Sequence, residues 1–407
     1  MIFFICSIIV LFAAFMSIVS PKKSFLFYLF VIGVIPTGNS YADFISVQGV
    51  YYFDFYLVGL FFLFFKSLSC NNKLSIPLVT VLGVFLYISY IILGGVNNSV
   101  DKYILKDFRP IIMIITSVYL FNTIKQFVEY DKKTILKILF IMFCFSIVHL
   151  LLPRLGFSVY KDEYYEDNSY RYLDASTYVA ALYVIYYFSG RVLKIEEPRW
   201  AKLCFYASIA CVLVGNSRFM LLAIFLSIIL VSIKDIKKAI TYTLVSIFVI
   251  GIFLAISIYV GAERVVSGLS SDVLLFQLTN RFSPAINLID GMSWYNYIFG
   301  LGAGTYFDIP WFAYRGLETK NVSVDSLYLT MYVKYGLFGF LFIGLFTKVA
   351  VASLNSKIKT AVILFSLTMY FVSAVPYHPY SLGIIVGASI IALLDKKSLQ
   401  ESMRGSK

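Results

Sequence analysis

Three charged side chains in this sequence stand where chemistry is possible. Arg218 begins an apolar stretch in GNSRFMLLAIF, Arg281 lies in NRFSPAINLIDG, and Asp325 lies in SVDSLYL at the head of another apolar stretch. A guanidinium binds phosphate through paired hydrogen bonds, and a partly buried one binds it better than an exposed one. Positive charge fixed beforehand also eases departure of a diphosphate. A carboxylate within hydrogen-bond reach of a sugar hydroxyl can take its proton as a C1–O bond forms. Such a set suits glycosyl transfer from a diphosphate-linked donor. Arg109 in KDFRP is a further diphosphate candidate, Asp174 a reserve base, and Arg264 and Arg315 weaker candidates.

Each residue also has a plain structural reading. Arg218 as a snorkelling helix cap needs no ligand. Arg281 as a solvated loop residue means nothing, and Arg109 serves equally as a topology anchor. An acid at a helix start, as Asp325 would be, is favoured by the helix dipole alone. The acidic group Asp162, Glu163, Glu166 and Asp167 reads chiefly as a solvated loop, and His378 as a residue at a turn. Asp54 and Lys334 fall inside apolar stretches, where charge is costly and therefore informative.

Sugar rings bind to mixed aromatic and polar surfaces. The region 261–324 holds Trp294, Tyr295, Tyr297, Tyr306, Trp311, Phe312 and Tyr314, of which Tyr306, Trp311 and Tyr314 are the sugar-binding candidates. The glycines 300, 302 and 304 form no GxGxxG and follow no strand, so no nucleotide site is expected. The five cysteines are scattered without metal spacing and read as small core residues. Two histidines are too few for a histidine-built metal site. No metal and no cofactor are expected, because arginines can supply the electrostatic work.

The elements that must position these residues follow from composition. Of the 407 residues 60% are hydrophobic and 14% charged, with mean hydropathy +0.84. Soluble domains run at about 45–50% apolar and about 25% charged. The composition therefore predicts an all-α polytopic membrane protein with about 12–13 transmembrane helices of roughly 20 residues each. The spans fall near 2–20, 24–36, 49–65, 76–95, 109–122, 135–153, 174–190, 200–215, 218–233, 239–260, 325–347, 358–375 and 378–394. Residues 2–20 lack a basic leader and a cleavage site, so they read as a span and not as a signal peptide.

Basic residues collect in alternate connections, from Lys22 and Lys23 through Lys234, Lys237 and Lys238 to the tail with Lys396 and Lys397. The positive-inside rule then puts the C-terminus in the cytoplasm and the acidic, longer loops outside. It also accounts for the net charge of +12 without nucleic acid, for which no motif is present. The chain divides into 1–260, helices 1–10 with short loops; 261–324, one large outer (periplasmic) loop; and 325–407, helices 11–13 with the tail. A loop of such length is usually functional.

The stretch DSLYLTMYVKYGLFG, 325–339, resembles a motif of the O-antigen polymerase and ligase superfamily (Wzy and WaaL). Ligases show a His, a polar residue, nine residues and then GxxG. Here Asp325 takes the His position and Ser326 the polar one, and Gly336 and Gly339 follow. Arg218-x3-Leu222 at a span start is similar to the ligases, and Arg281 with Gly291 loosely matches the polymerases' Arg–Gly stretch. The layout, with one large loop directly before the first motif, is similar across the whole chain. Asp325 in place of His favours polymerase.

The resemblance implies a GT-C-like membrane glycosyltransferase of the bacterial inner membrane. It would join undecaprenyl-diphosphate-linked oligosaccharide repeat units at the periplasmic face, with inversion and without metal. Arg218, Arg281 and Arg109 would bind the diphosphate, and Asp325 would act as base or acceptor orienter. Implied partners are membrane lipid and a chain-length regulator and flippase of the same pathway. The alternatives are an O-antigen ligase acting on lipid A-core, or a non-enzymatic lipid-linked oligosaccharide flippase or exporter.

Overall fold

The computed structural model describes residues 2–37, 42–47, 50–56, 78–97, 103–108, 132–152, 173–192, 199–232, 271–315, 318–351, 354, 356–378 and 383–394, less 105, 216 and 385, together with the single positions 240, 241, 244, 251 and 255. The described chain is mostly helical. The main helices are α1 (Ile2–Val19), α2 (Pro21–Val34), α3 (Leu78–Val96), α4 (Lys132–Leu151), α5 (Ala175–Val192), α6 (Arg199–Val214), α7 (Arg218–Ser232), α8 (Ser271–Asp290), α9 (Leu327–Tyr335), α10 (Phe338–Val351) and α11 (Ser356–Val372). Residues 386–394 are also helical. Among the described residues, α4 is the helix long and apolar enough to cross a membrane by length and composition, and shorter apolar helices include Phe219–Ser232 and Ile358–Val372.

The bundle is organised around α5. Every residue from Ala175 to Tyr187 is buried, which is the mark of a helix surrounded on all sides. Its alanines let neighbours come close, and its tyrosines fill the space between them. On one side Ser176 Oγ meets Ser146 Oγ of α4 at 2.5 Å, and Tyr183 donates to the Ala201 carbonyl of α6 at 3.2 Å. On another, Gly383 packs so closely on the Ala175 carbonyl that a Cβ there would overlap it. Helix α7 packs against both α5 and α11, and α2 against α4.

The outward faces are apolar as well. Phe4, Ile8, Phe12 and Phe15 are exposed on α1, Phe85, Ile88 and Ile92 on α3, and Ile141, Phe145 and Val148 on α4. Serine and threonine hydroxyls turn inward instead, and Ser146, Ser176, Thr177 and Ser208 are fully buried. Ordinary surfaces scatter single apolar residues, not rows of them.

The described residues of 271–324 form a roof on the bundle. Ala285 joins Met292, Phe307, Ile309, Val324 and Val333 in a small separate core, beneath the partly buried Leu288 and Ile289. Strands β3 (Phe307–Asp308) and β4 (Lys320–Asn321) pair antiparallel, Phe307 opposite Asn321. The Gly-rich turn 300–304 is wedged between α3 and α9. Leu301 N donates to Val333 O at 2.8 Å, Gly302 N to Lys334 O at 2.9 Å, and Ala303 N to Tyr90 O at 2.9 Å. Gly300 has φ +79°, and a Cβ there would run into the Lys334 carbonyl. Gly300 and Gly302 are thus required by close packing.

Two expected spans are built differently. The stretch 325–347 is broken: α9 ends at Tyr335, Gly336 takes φ +56°, and α10 starts at Phe338. Gly336 caps α9, donating to Tyr332 O at 2.8 Å, and Leu337 N donates to Ile298 O at 3.0 Å, so the roof docks into the break. The expected span 49–65 begins as a hairpin, β1 (Ser46–Val47) with β2 (Val50–Tyr51), and a 3-10 turn at Tyr52–Phe55. Asp54 caps that turn by accepting from Tyr51 N at 3.0 Å, which gives this charged residue a local role. The expected span 109–122, residues 57–65 of the span 49–65, and all but single positions of the span 239–260 lie outside the described residues.

Candidate functional site

Helix α9 starts on a defined cap. Ser326 is extended (φ −85°, ψ 124°) and its side chain accepts from Leu329 N, while Thr330 Oγ1 donates to Ser326 O at 2.8 Å and accepts from Val324 N at 3.1 Å. This cap satisfies backbone donors that the first turn leaves open. Asp325, one residue earlier, therefore projects at the helix start without serving as the cap. Its Oδ2 lies 3.2 Å from Nε of Arg281 on α8, with side-chain exposures of 53% for Asp325 and 29% for Arg281. The carboxylate is reachable from outside and the guanidinium is partly sheltered.

Arg218 opens α7, and its side chain lies outside the described residues. Its neighbour Phe219 has its ring 6.5 Å from that of Phe371 on α11, and Phe371 is 5.8 Å from Phe282, the residue after Arg281. One ring thus bridges the start of α7 to the turn of α8 that carries Arg281. Three of the sequence candidates are gathered at one end of the bundle: Arg281 and Asp325 by direct contact, and Arg218 by backbone position.

The other candidates do not join this contact among the described residues. Arg109, Arg264 and the acidic group 162–167 lie outside the described residues. Trp311, Tyr314 and Arg315 sit on the 3-10 helix Pro310–Arg315, with side chains outside the description. The Tyr306 ring is already engaged by Tyr103 at 5.8 Å and by Lys320 Nζ at 4.7 Å. Asp174 is buried at the head of α5, where one carboxylate oxygen accepts from Thr37 N at 2.9 Å, Ala175 N at 2.7 Å and the Thr37 hydroxyl. In that position the reserve base is a structural tie between α2 and α5.

A second charged pair lies beneath the roof. Lys334 Nζ reaches both oxygens of Asp107, at 2.6 and 2.7 Å, with neither side chain exposed. Gly304 N donates to Asp107 Oδ2 at 2.7 Å, and the Tyr377 ring lies 5.5 Å from Nζ. Nearby, Tyr103 donates to Glu318 at 3.1 Å, and burial with that carboxylate pushes its phenol up to about 12, so it remains a donor. Sequence reading singled out Lys334 but missed Asp107. Asp107 in KDFRP looks interfacial in the sequence, and its partner stands 227 residues away.

Residues 111–400 match the model of a family of unknown function, DUF6369. The chain belongs to this family. No curated protein matches it. The part shared with DUF6369 runs from before α4 through α11 and contains Arg218, Arg281, Asp325 and Lys334, whereas Asp107 and α1–α3 precede it. The exposed Arg281–Asp325 contact thus lies wholly within the DUF6369 region, and the buried pair ties that region to the chain before it.

Proposed function

We propose that this DUF6369 protein is a polytopic membrane glycosyltransferase, a polysaccharide polymerase. It joins undecaprenyl-diphosphate-linked oligosaccharide repeat units at the outer face of the bacterial inner membrane, with its C-terminus in the cytoplasm. The observation that carries the reading is the Arg281–Asp325 contact, which sets a cation beside a reachable carboxylate at the head of α9. The membrane part is supported by the apolar outward faces of α1, α3 and α4 around a hydroxyl-rich interior. It is further supported by contacts between connections that the charge pattern assigns to one side. Thr37 meets Asp174, and Gly304 meets Asp107.

In this reaction a hydroxyl at the non-reducing end of the acceptor repeat attacks C1 of the donor glycan. The C1–O bond to the diphosphate breaks, and the electron pair leaves with undecaprenyl diphosphate. Asp325 takes the hydroxyl proton or orients the acceptor. Arg281 and Arg218, with Arg109 in support, stabilise the charge that grows on the leaving diphosphate. Chain-length regulation and delivery of lipid-linked repeats fall to partners in the same pathway.

The test is a gene deletion read on a lipopolysaccharide or capsule gel. A core bearing a single repeat unit, restored to ladders by the wild-type gene, is the expected result. A bare core with lipid-linked polymer accumulating would identify a ligase instead, and unchanged ladders would overturn the proposal.

A further inference from the structure

The segment Gly291–Gly300 reads GMSWYNYIFG and carries no charge. In the fold it bares its aromatic side chains. Trp294 is 77% exposed, with Tyr295, Tyr297, Ile298 and Phe299 also exposed. The sequence grouped Trp294, Tyr295 and Tyr297 with the sugar-facing aromatics, but the fold separates them. Tyr306 turns inward onto Tyr103, whereas 294–299 lies against the start of α10. Leu337 N donates to Ile298 O at 3.0 Å, and the Phe299 and Phe338 rings stack 6.0 Å apart. Exposure then continues along α10 through Leu337, Phe340 and Leu341. The result is one continuous apolar surface running from the roof onto a helix.

We propose that Trp294–Phe299 is an interfacial anchor seated at the headgroup–acyl boundary of the outer leaflet, and so is lipid-facing and not sugar-binding. This rests on the membrane reading above. Three observations favour lipid over a protein partner. The segment has no charge with which to choose a partner. Its surface is continuous with the apolar side of α10, which belongs to an expected span. Its Trp and Tyr side chains join apolar rings to an N–H or O–H group, which suits the boundary layer, and Phe299 adds a wholly apolar face. The backbone ties to α9 and α10 mean that the anchor fixes the height of the roof, and therefore of Arg281, above the bilayer.

The test compares wild-type protein with Trp294→Phe in phosphatidylcholine–phosphatidylglycerol vesicles containing brominated lipids. The difference in emission isolates Trp294 from the other two tryptophans, Trp200 and Trp311. Expected are blue-shifted Trp294 emission, strong quenching by bromine near the carbonyl end of the acyl chain, weaker quenching by bromine near the methyl end, and little quenching by aqueous iodide. Iodide quenching without bromolipid quenching would overturn the anchor, since the segment would then face water. Protection from both quenchers would also overturn it, in favour of a covering protein or second copy. Extraction of the membranes with alkaline carbonate separates the two failures. Protein released by carbonate refutes the membrane reading itself, whereas retained protein with an unquenched Trp294 refutes only the anchor.

Discussion

Lys334 holds both carboxylate oxygens of Asp107 from inside the bundle, while Gly304 N–H holds one of them from the roof. This three-way tie joins Asp107, which follows α3 in the chain, to the Gly-rich turn and α9. Removing one member leaves a buried charge uncompensated, which costs about 3–5 kcal/mol. Lys334→Met is expected to lower thermal stability by that order. Asp107→Asn combined with Lys334→Met removes both charges and keeps an acceptor for Gly304, so it should recover a large part. Equal losses in the single and double variants would show that the pair's charge is not what matters.

Arg281 and Asp325 make the corresponding test at the exposed contact. Arg281→Ala and Arg218→Ala are expected to abolish polymer ladders while the protein stays in the membrane, and Asp325→Asn to reduce them severely. Arg218→Lys keeps the charge but loses the paired geometry, so impaired ladders are expected. The charge-reversed double variant Arg281→Asp with Asp325→Arg separates structure from chemistry. It can restore the contact, yet should remain inactive. Full ladders from it would reduce the pair to a surface ion pair, worth at most about 1 kcal/mol.

The Gly-rich turn gives a prediction that does not depend on function. Gly300→Ala puts a Cβ into the Lys334 carbonyl at a positive φ, so a loss of more than about 1 kcal/mol in thermal unfolding is expected. Gly344 lies within α10 with open space around it, and Gly344→Ala should be neutral or stabilising by roughly 0.5–1 kcal/mol. The reverse order of stabilities would contradict the described packing of the turn.

Sidedness can be read by labelling single cysteines in a background lacking the native ones. Ala313→Cys, on the roof, should react with an impermeant maleimide added to intact spheroplasts. Lys133→Cys, exposed at the start of α4, should react only after the membrane is opened. Labelling of both from the same side would undo the assigned topology.

Helix positions were legible wherever apolar runs were long. The ranges 2–20, 200–215 and 218–233 fall within a residue or so of α1, α6 and α7. Hydropathy registers length and not backbone continuity, so the break at Gly336 and the hairpin at 46–51 escaped it. Both depend on what docks there: Ile298 accepts from Leu337, and Asp54 holds Tyr51. Asp325 was visible as a charge at an element edge and Arg281 as a charge within the long loop. Their contact was not, since a residue on α8 and one just before α9 meet only once the two helices pack together.

By itself the sequence determined which side chains were available and which stretches had to be apolar helices, because composition and period act locally along the chain. Tertiary structure alone decided which charges meet. It buried Lys334 against Asp107 and left Asp325 reachable beside Arg281. It also turned Tyr306 inward and Trp294 outward, although the two lie in the same loop. The physical reason is desolvation. Whether a charge or ring is enclosed depends on chain segments hundreds of residues away, and no local pattern records their arrival.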